Sequence, residues 1–93
     1  MNWTLATTAS FDRRLRKFLA RHPDLRPRLT DTLAQLTTDP FEPSLKLHAL
    51  TGKLQGLQAV SLTYSYRITL TLQITAHEIL LIDIGSHDEV YGG

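Results

Sequence analysis

The sequence predicts an α+β fold: an N-terminal strand, an αα-hairpin, then a three-stranded antiparallel meander, in the order β-α-α-β-β-β with both helices on one sheet face. Three observations carry this. Apolar residues recur at helical spacing before residue 40 and alternate with polar ones after residue 57. Proline, glycine and aspartate gather where the period changes. The chain has 93 residues, 42% hydrophobic and 20% charged, which suits one domain with one modest core across 1–93.

Each element has a local reason. Trp3-Thr4-Leu5-Ala6-Thr7 alternates and reads as a short strand. Phe11, Leu15, Phe18 and Leu19 fall on one helical stripe, with Thr8 or Ser10 available to cap its start. His22-Pro23-Asp24 interrupts that helix. Asp24 is expected to cap a second one, with Pro27 in its first turn and Leu25, Leu29, Leu33 and Leu36 as its apolar stripe. Asp39-Pro40 ends it, because proline disfavours helix in the preceding residue. Residues 39–56, punctuated by Pro43, Gly52 and Gly56, read as a loop.

Val60, Leu62 and Tyr64 then alternate with Ser61 and Thr63, and the chain turns near Ser65. In the next strand Tyr66, Ile68, Leu70, Leu72 and Ile74 define a packed face, and Arg67, Thr69, Thr71 and Gln73 a wet one. A turn near Ala76-His77 leads into 79–84, which is apolar on both faces and so predicts an interior strand, ended by Gly85.

There is no cysteine, which excludes disulfides and thiolate metal sites. Residues 1–10 show no basic segment followed by an apolar run, and no stretch approaches the roughly 18 apolar residues of a membrane span. The expectation is a soluble cytoplasmic protein with no membrane partner. The net charge of +1 conceals an asymmetry: 1–38 hold seven Lys or Arg and three Asp, whereas 39–93 hold three Lys or Arg and six acids. Arg13, Arg14, Arg16, Lys17, Arg21, Arg26 and Arg28 make up the basic excess. Such a stripe attracts phosphate backbones or an acidic partner, the ordinary alternative being a solvated helix face.

The candidate chemistry lies later in the chain. If 66–74 and 79–84 form a hairpin, Arg67 at the start of one strand meets 86–91 at the end of the other. His48 and Lys53 reach the same region from the preceding loop. Arg67, His87, His48, Lys53 and Tyr91 then surround one surface with guanidinium, imidazole, ammonium and phenol. That set suits cleavage of a phosphodiester by its neighbouring 2′-hydroxyl: imidazole moves protons near neutral pH, and arginine binds phosphate oxygens. No metal or other cofactor is expected, since the four histidines are scattered and H-E-x-x-H is absent. Each residue also has a plainer reading: Arg67 as a surface charge, His87 bonded to loop backbone, Tyr91 as a packing anchor, His48 as a surface group. His22 and His77 read as surface. Asp83, within an apolar strand, is expected to pair with Arg67 or His87 or to point out at an edge.

At these residues the sequence resembles the RelE/ParE superfamily of toxins from type II toxin–antitoxin systems, nearest its RelE/StbE and YafQ-like branches. The matching words are His48-Ala49-Leu50-Thr51-Gly52-Lys53-Leu54-Gln55-Gly56-Leu57, Tyr66-Arg67-Ile68, and Asp83-Ile84-Gly85-Ser86-His87-Asp88-Glu89-Val90-Tyr91. Family members commonly show a similar H-x-L-x-G-x-L-x-G, Y-R-I/L and I-G-x-H-x-x-V-Y in this order. The resemblance implies a RelE-like fold, ribosome-dependent cleavage of mRNA that stops translation, and a cognate antitoxin protein in a hetero-oligomeric complex. It implies that Arg67 contacts the scissile phosphate, that His87 is the general acid, that Tyr91 lies near a substrate base, and that His48 is the branch's loop histidine. Lys46 and Lys53 stand where RelE has a lysine cluster, and Arg13, Arg14 and Lys17 extend the expected substrate-binding set. Ser61 and Ser65 stand where YafQ-like enzymes carry a further histidine and aspartate, which leaves the general base unassigned. Two alternatives share the fold: a ParE-like inhibitor of DNA gyrase without nuclease activity, and an inactive toxin-fold protein that only binds its antitoxin. Arg67 together with His87 favours the nuclease.

Overall fold

A computed structural model describes residues 2–90 of the chain. The first strand, β1 (Thr4–Thr7), leads into α1 (Ala9–Arg21) through Thr8, whose hydroxyl accepts from Phe11 N–H at 3.0 Å. Phe11 and Phe18 are buried on the helix's inner side. The second helix, α2 (Arg26–Thr38), is entered through a 3₁₀ turn at Pro23–Leu25. That turn replaces the expected Asp24 cap: Leu25 takes the cap position and bonds through no side chain, while Pro27 sits in the first helical turn. Leu29 and Leu36 are buried as the stripe predicts, and Thr32 joins them with its hydroxyl bonded back to Arg28 O at 2.8 Å.

The sheet has five strands in the order β1-β5-β4-β3-β2. The expected meander is present as β3 (Gln58–Ser61), β4 (Tyr66–Gln73) and β5 (Glu78–Ser86), all antiparallel. β1 adds in parallel beside 78–81 of β5, so β5 is an interior strand there. A two-residue β2 (His48–Ala49), inside the stretch read as loop, pairs with Gln58 and Ala59. The helices cover the face that carries Val60, Ile68, Leu70, Ile79, Leu81 and Ile84, and these close the core with Phe11, Phe18, Leu29 and Leu36. Tyr66 lies on the same face, its ring 5.1 Å from Phe18 and 4.8 Å from His22. His22 is thus packed between two aromatic rings rather than lying free on the surface. His77, also read as surface, sits 5.0 Å from the ring of Trp3, in a turn where its own φ is 51°.

Two strand ends fall short of the alternation. Tyr64 is 98% exposed, because the chain has already reversed: Leu62 and Thr63 both donate to Tyr66 O, at 2.9 and 3.2 Å. Ile74 lies past the end of β4 and is 58% exposed. The opposite sheet face is drier than expected as well. Thr69 is buried there beside Ala59, and the hydroxyls of Thr69 and Thr71 find no partner among the described residues. A four-residue helix, α3 (His87–Val90), follows β5 directly, packs against β4 and β5, and buries Val90.

Candidate functional site

The site is assembled by strand register. Residues directly opposite on neighbouring antiparallel strands project to the same face. Arg67 stands between Ser61 on β3 and Gly85 on β5. One row further in, His48 on β2 faces Ala59 on β3, which faces Thr69 on β4. His48, Ser61 and Arg67 therefore share the face turned away from the helices. Two strand spacings and one row put the backbones of His48 and Arg67 roughly 12 Å apart.

His87 follows from the end of β5. Its start as a helical residue is set by a reciprocal cap: Ser86 N–H donates to Glu89 Oε1 at 2.9 Å, and Glu89 N–H donates to the Ser86 hydroxyl at 3.3 Å. The bonds from Ser86 hold the Glu89 carboxyl below the usual carboxylate range, burial opposes them, and Arg14 and Arg21 add a smaller push the same way. A Cβ on Gly85 would stand 3.0 Å from Glu89 Oε1 and 3.2 Å from its Cβ, so the missing side chain lets α3 fold back this tightly. His87 Nδ1 lies 3.8 Å from Asp88 Oδ1.

His48, Lys53 and His87 line one open depression of about 400 Å³, together with Ala49, Leu50, Thr51 and Leu54. Two imidazoles and an ammonium thus face one volume. His48 Nδ1 is 2.9 Å from Lys46 O. Lys46 takes the left-handed backbone conformation at φ 55°, and its side chain is not among the lining groups.

Arg67 is not a bare surface charge. Its Nη1 donates to Thr63 O at 3.1 Å and Tyr64 O at 3.3 Å, tying down the β3–β4 turn. Arg13, Arg14 and Lys17 are not brought to this face. They belong to α1, on the other side of the sheet, and Arg14 is committed to Asp83 through Nε at 2.8 Å and Nη2 at 3.3 Å. Asp83 therefore points out at the edge of β5, as one of its expected placements has it, and does not pair with Arg67. The cause is a bulge: Thr69 faces Asp83 and Leu70 faces Leu81, so Ile82 has no partner on β4. Bulges re-aim neighbouring side chains, and a two-fold alternation cannot reveal one. Tyr91 lies outside the described residues. The cap at Ser86 and Glu89 was legible as S-x-x-E in the sequence; the Arg14–Asp83 pair, 69 positions apart, was not.

The fold is that of solved structures of RelE/ParE-like toxins. No family model matches the sequence, and no curated protein matches it significantly. Solved structures do. The chain is similar to the toxin–antitoxin complex DinJ-YafQ from Escherichia coli, with 17% identity, coverage of 99% of this chain and 100% of the other, and a TM-score of 0.79. It is similar to a YoeB/ParE toxin from Agrobacterium tumefaciens at 20% identity, covering 90% and 98%, with a TM-score of 0.70. The toxin–antitoxin complex RelBE2 from Mycobacterium tuberculosis aligns at 17% identity over 94% and 100%, with a TM-score of 0.62.

Proposed function

We propose that this chain is the toxin of a type II toxin–antitoxin pair and an endoribonuclease that cuts mRNA on the ribosome by attack of a 2′-hydroxyl, without a metal ion. The observation that carries the reading is the shared depression of His48, Lys53 and His87 on the sheet end that also holds Arg67. The reaction needs a proton acceptor for the 2′-hydroxyl, a proton donor for the leaving 5′-oxygen, and cations against the charge that builds on phosphorus. Two imidazoles across one volume supply both proton transfers in principle: His87 is the donor in the resembling motif, and His48 is the acceptor the geometry offers where Ser61 and Ser65 offer none. Lys53 supplies charge from the same wall. Arg67, with Nη1 on the turn carbonyls, has its guanidinium plane fixed before substrate arrives, which suits a positioned phosphate ligand. A cognate antitoxin and ribosome-held mRNA are the partners this reading requires.

The test is single-turnover cleavage of mRNA on programmed ribosomes by the purified chain. His87→Gln is expected to slow the cut by roughly 10²–10⁴-fold, the usual worth of a positioned proton donor. Unchanged rates in that variant remove His87 from the chemistry. No cleavage by the unaltered protein, with gyrase inhibited instead, replaces the nuclease by the ParE-like alternative.

A further inference from the structure

β2 covers only Gln58 and Ala59 of β3. Past that pair, among the described residues, the outer edge of β3 is faced not by a strand but by a 3₁₀ turn at Pro43–Leu45. Between that turn, the strand end and α2 lies a cavity of about 260 Å³, whose walls include Arg28, Asp31, Gln35, Leu45, Ser61 and Leu62. It shares no residue with the depression of His48, Lys53 and His87. Leu45 and Leu62 are buried and give it an apolar floor. Arg28 and Asp31 stand three residues apart on α2, a spacing that forms ion pairs. Yet among the described residues Asp31 has no cationic partner and Arg28 no acidic one. Arg28 is anchored to the strand instead, its Nε donating to Leu62 O at 3.0 Å. That bond holds the guanidinium plane and leaves its two Nη groups for a further acceptor. Gln35, one turn on from Asp31, adds an amide to the same wall.

We propose that this cavity binds a guanine base of single-stranded RNA, with Asp31 accepting from N1–H and the 2-amino group and Arg28 donating to O6 and N7. A carboxylate has two acceptor oxygens. Guanine is the base that sets two N–H donor groups side by side; adenine, cytosine and uracil each present one. Its O6 and N7 are the pair that a guanidinium meets with two parallel bonds. Arg28 and Asp31 are both exposed, so charge alone contributes little. A free amino acid would offer the same two charges but has no flat face to lay on Leu45 and Leu62. The register sets the cavity beside the proposed cutting site: Ser61, on its wall, stands opposite Arg67 on β4. A strand with one phosphate at Arg67 therefore passes the cavity with a neighbouring nucleotide. That the base lies in the mRNA being cut rests on the nuclease reading; that the cavity takes guanine does not.

The experiment is an NMR titration of the ¹⁵N-labelled chain with the 5′-monophosphates of guanosine, adenosine and inosine, with ribose 5-phosphate, and with free glycine. Saturable shifts at the amides of residues 28–35 and 61–62 are expected from the guanosine nucleotide. The inosine nucleotide, which lacks the 2-amino group, should bind about tenfold more weakly, the worth of one hydrogen bond to a charged group. Ribose 5-phosphate and glycine should leave these amides in place. Asp31→Asn, which breaks no ion pair among the described residues, should abolish the preference for guanosine over inosine. Equal binding of adenosine and guanosine nucleotides, matching shifts from ribose 5-phosphate or glycine, or an unchanged preference in Asp31→Asn would overturn the proposal. A short 2′-O-methyl oligonucleotide with one guanine among uracils separates the two sources of the base. It should shift the same amides and that of Arg67 as well. Failure to do so, while the guanosine nucleotide binds, overturns the strand and leaves a free nucleotide as the ligand. None of these ligands can be cut by its own 2′-hydroxyl, so an inactive nuclease leaves the outcome readable.

Discussion

The two halves of β5 are built on different principles. From Glu78 to Leu81 the strand is paired on both sides, by β1 and β4, and its apolar residues enter the core on the helix side. From Asp83 to Ser86, among the described residues, only β4 pairs with it, and the other edge is finished by Asp83, Glu89, Arg14 and Arg21. In the first half neighbouring backbone completes the hydrogen bonding, so the side chains are left to pack. In the second half charged side chains do the backbone's work. Within nine consecutive residues, backbone completes both edges of the first half, and backbone and side chains complete the second.

That contrast can be broken by mutation. The largest effect is expected in the doubly paired half. Leu81 is 1% exposed, and Leu81→Ala should cost about 2–5 kcal/mol by urea unfolding, the usual range for a buried leucine. A cost under about 1 kcal/mol, the level of a surface change, would show that this half is not the stable one. Next comes Asp83→Ala, which frees Ile84 N–H and the Arg14 guanidinium at once. Because both side chains are partly solvated, at 41% and 25% exposure, the loss should stay near 1–2 kcal/mol at roughly the scale of single hydrogen bonds to charged groups. A loss as large as that of Leu81→Ala would erase the distinction between the halves.

The smallest effects concern the cap on α3. Ser86→Ala should cost about 1 kcal/mol or less, as for other N-caps. Glu89 gives this region a pH dependence. Its folded pKa is lowered, so its contribution is fully present above the ordinary carboxylate pKa of about 4.3 and fades as pH falls through the lowered value. Acid titration of stability should therefore be shallower below about pH 4.3 in Glu89→Gln than in the unaltered chain. Identical acid limbs would mean that Ser86 does not hold the carboxylate in solution.

How far the sequence foretold this follows from what periodicity can express. Phe11, Phe18, Leu29, Leu36, Ile68 and Leu70 are core residues because their spacing says so, and the helical hairpin and the meander follow from them. His48–Ala49 is too short to have a period, so the strand that sets His48 on the site's face was read as loop. Thr69 looks solvated by chemistry and is buried by tertiary packing. Arg67, Lys53, His48 and His87 follow from the expected hairpin and the motif words; the register sets His48 and Arg67 on one face, and His48, Lys53 and His87 line one depression. Arg14 was grouped with them by charge alone, although charge along a chain does not say which face a helix covers. It is Asp83, moved by a bulge, that claims it.

The parallel pairing of β1 with β5 has a consequence in time. Thr4 finds its partner at Glu78, 74 residues later. At bacterial or eukaryotic synthesis rates of about 5–20 residues per second, that interval is roughly 4–15 s. The αα-hairpin has only local contacts to make and needs none of this delay. For those seconds Phe11 and Phe18 have no sheet to cover, and neither the row that holds Arg67 nor the edge at Ile84 exists. A nascent chain thus has neither that face nor that edge until β5 is made.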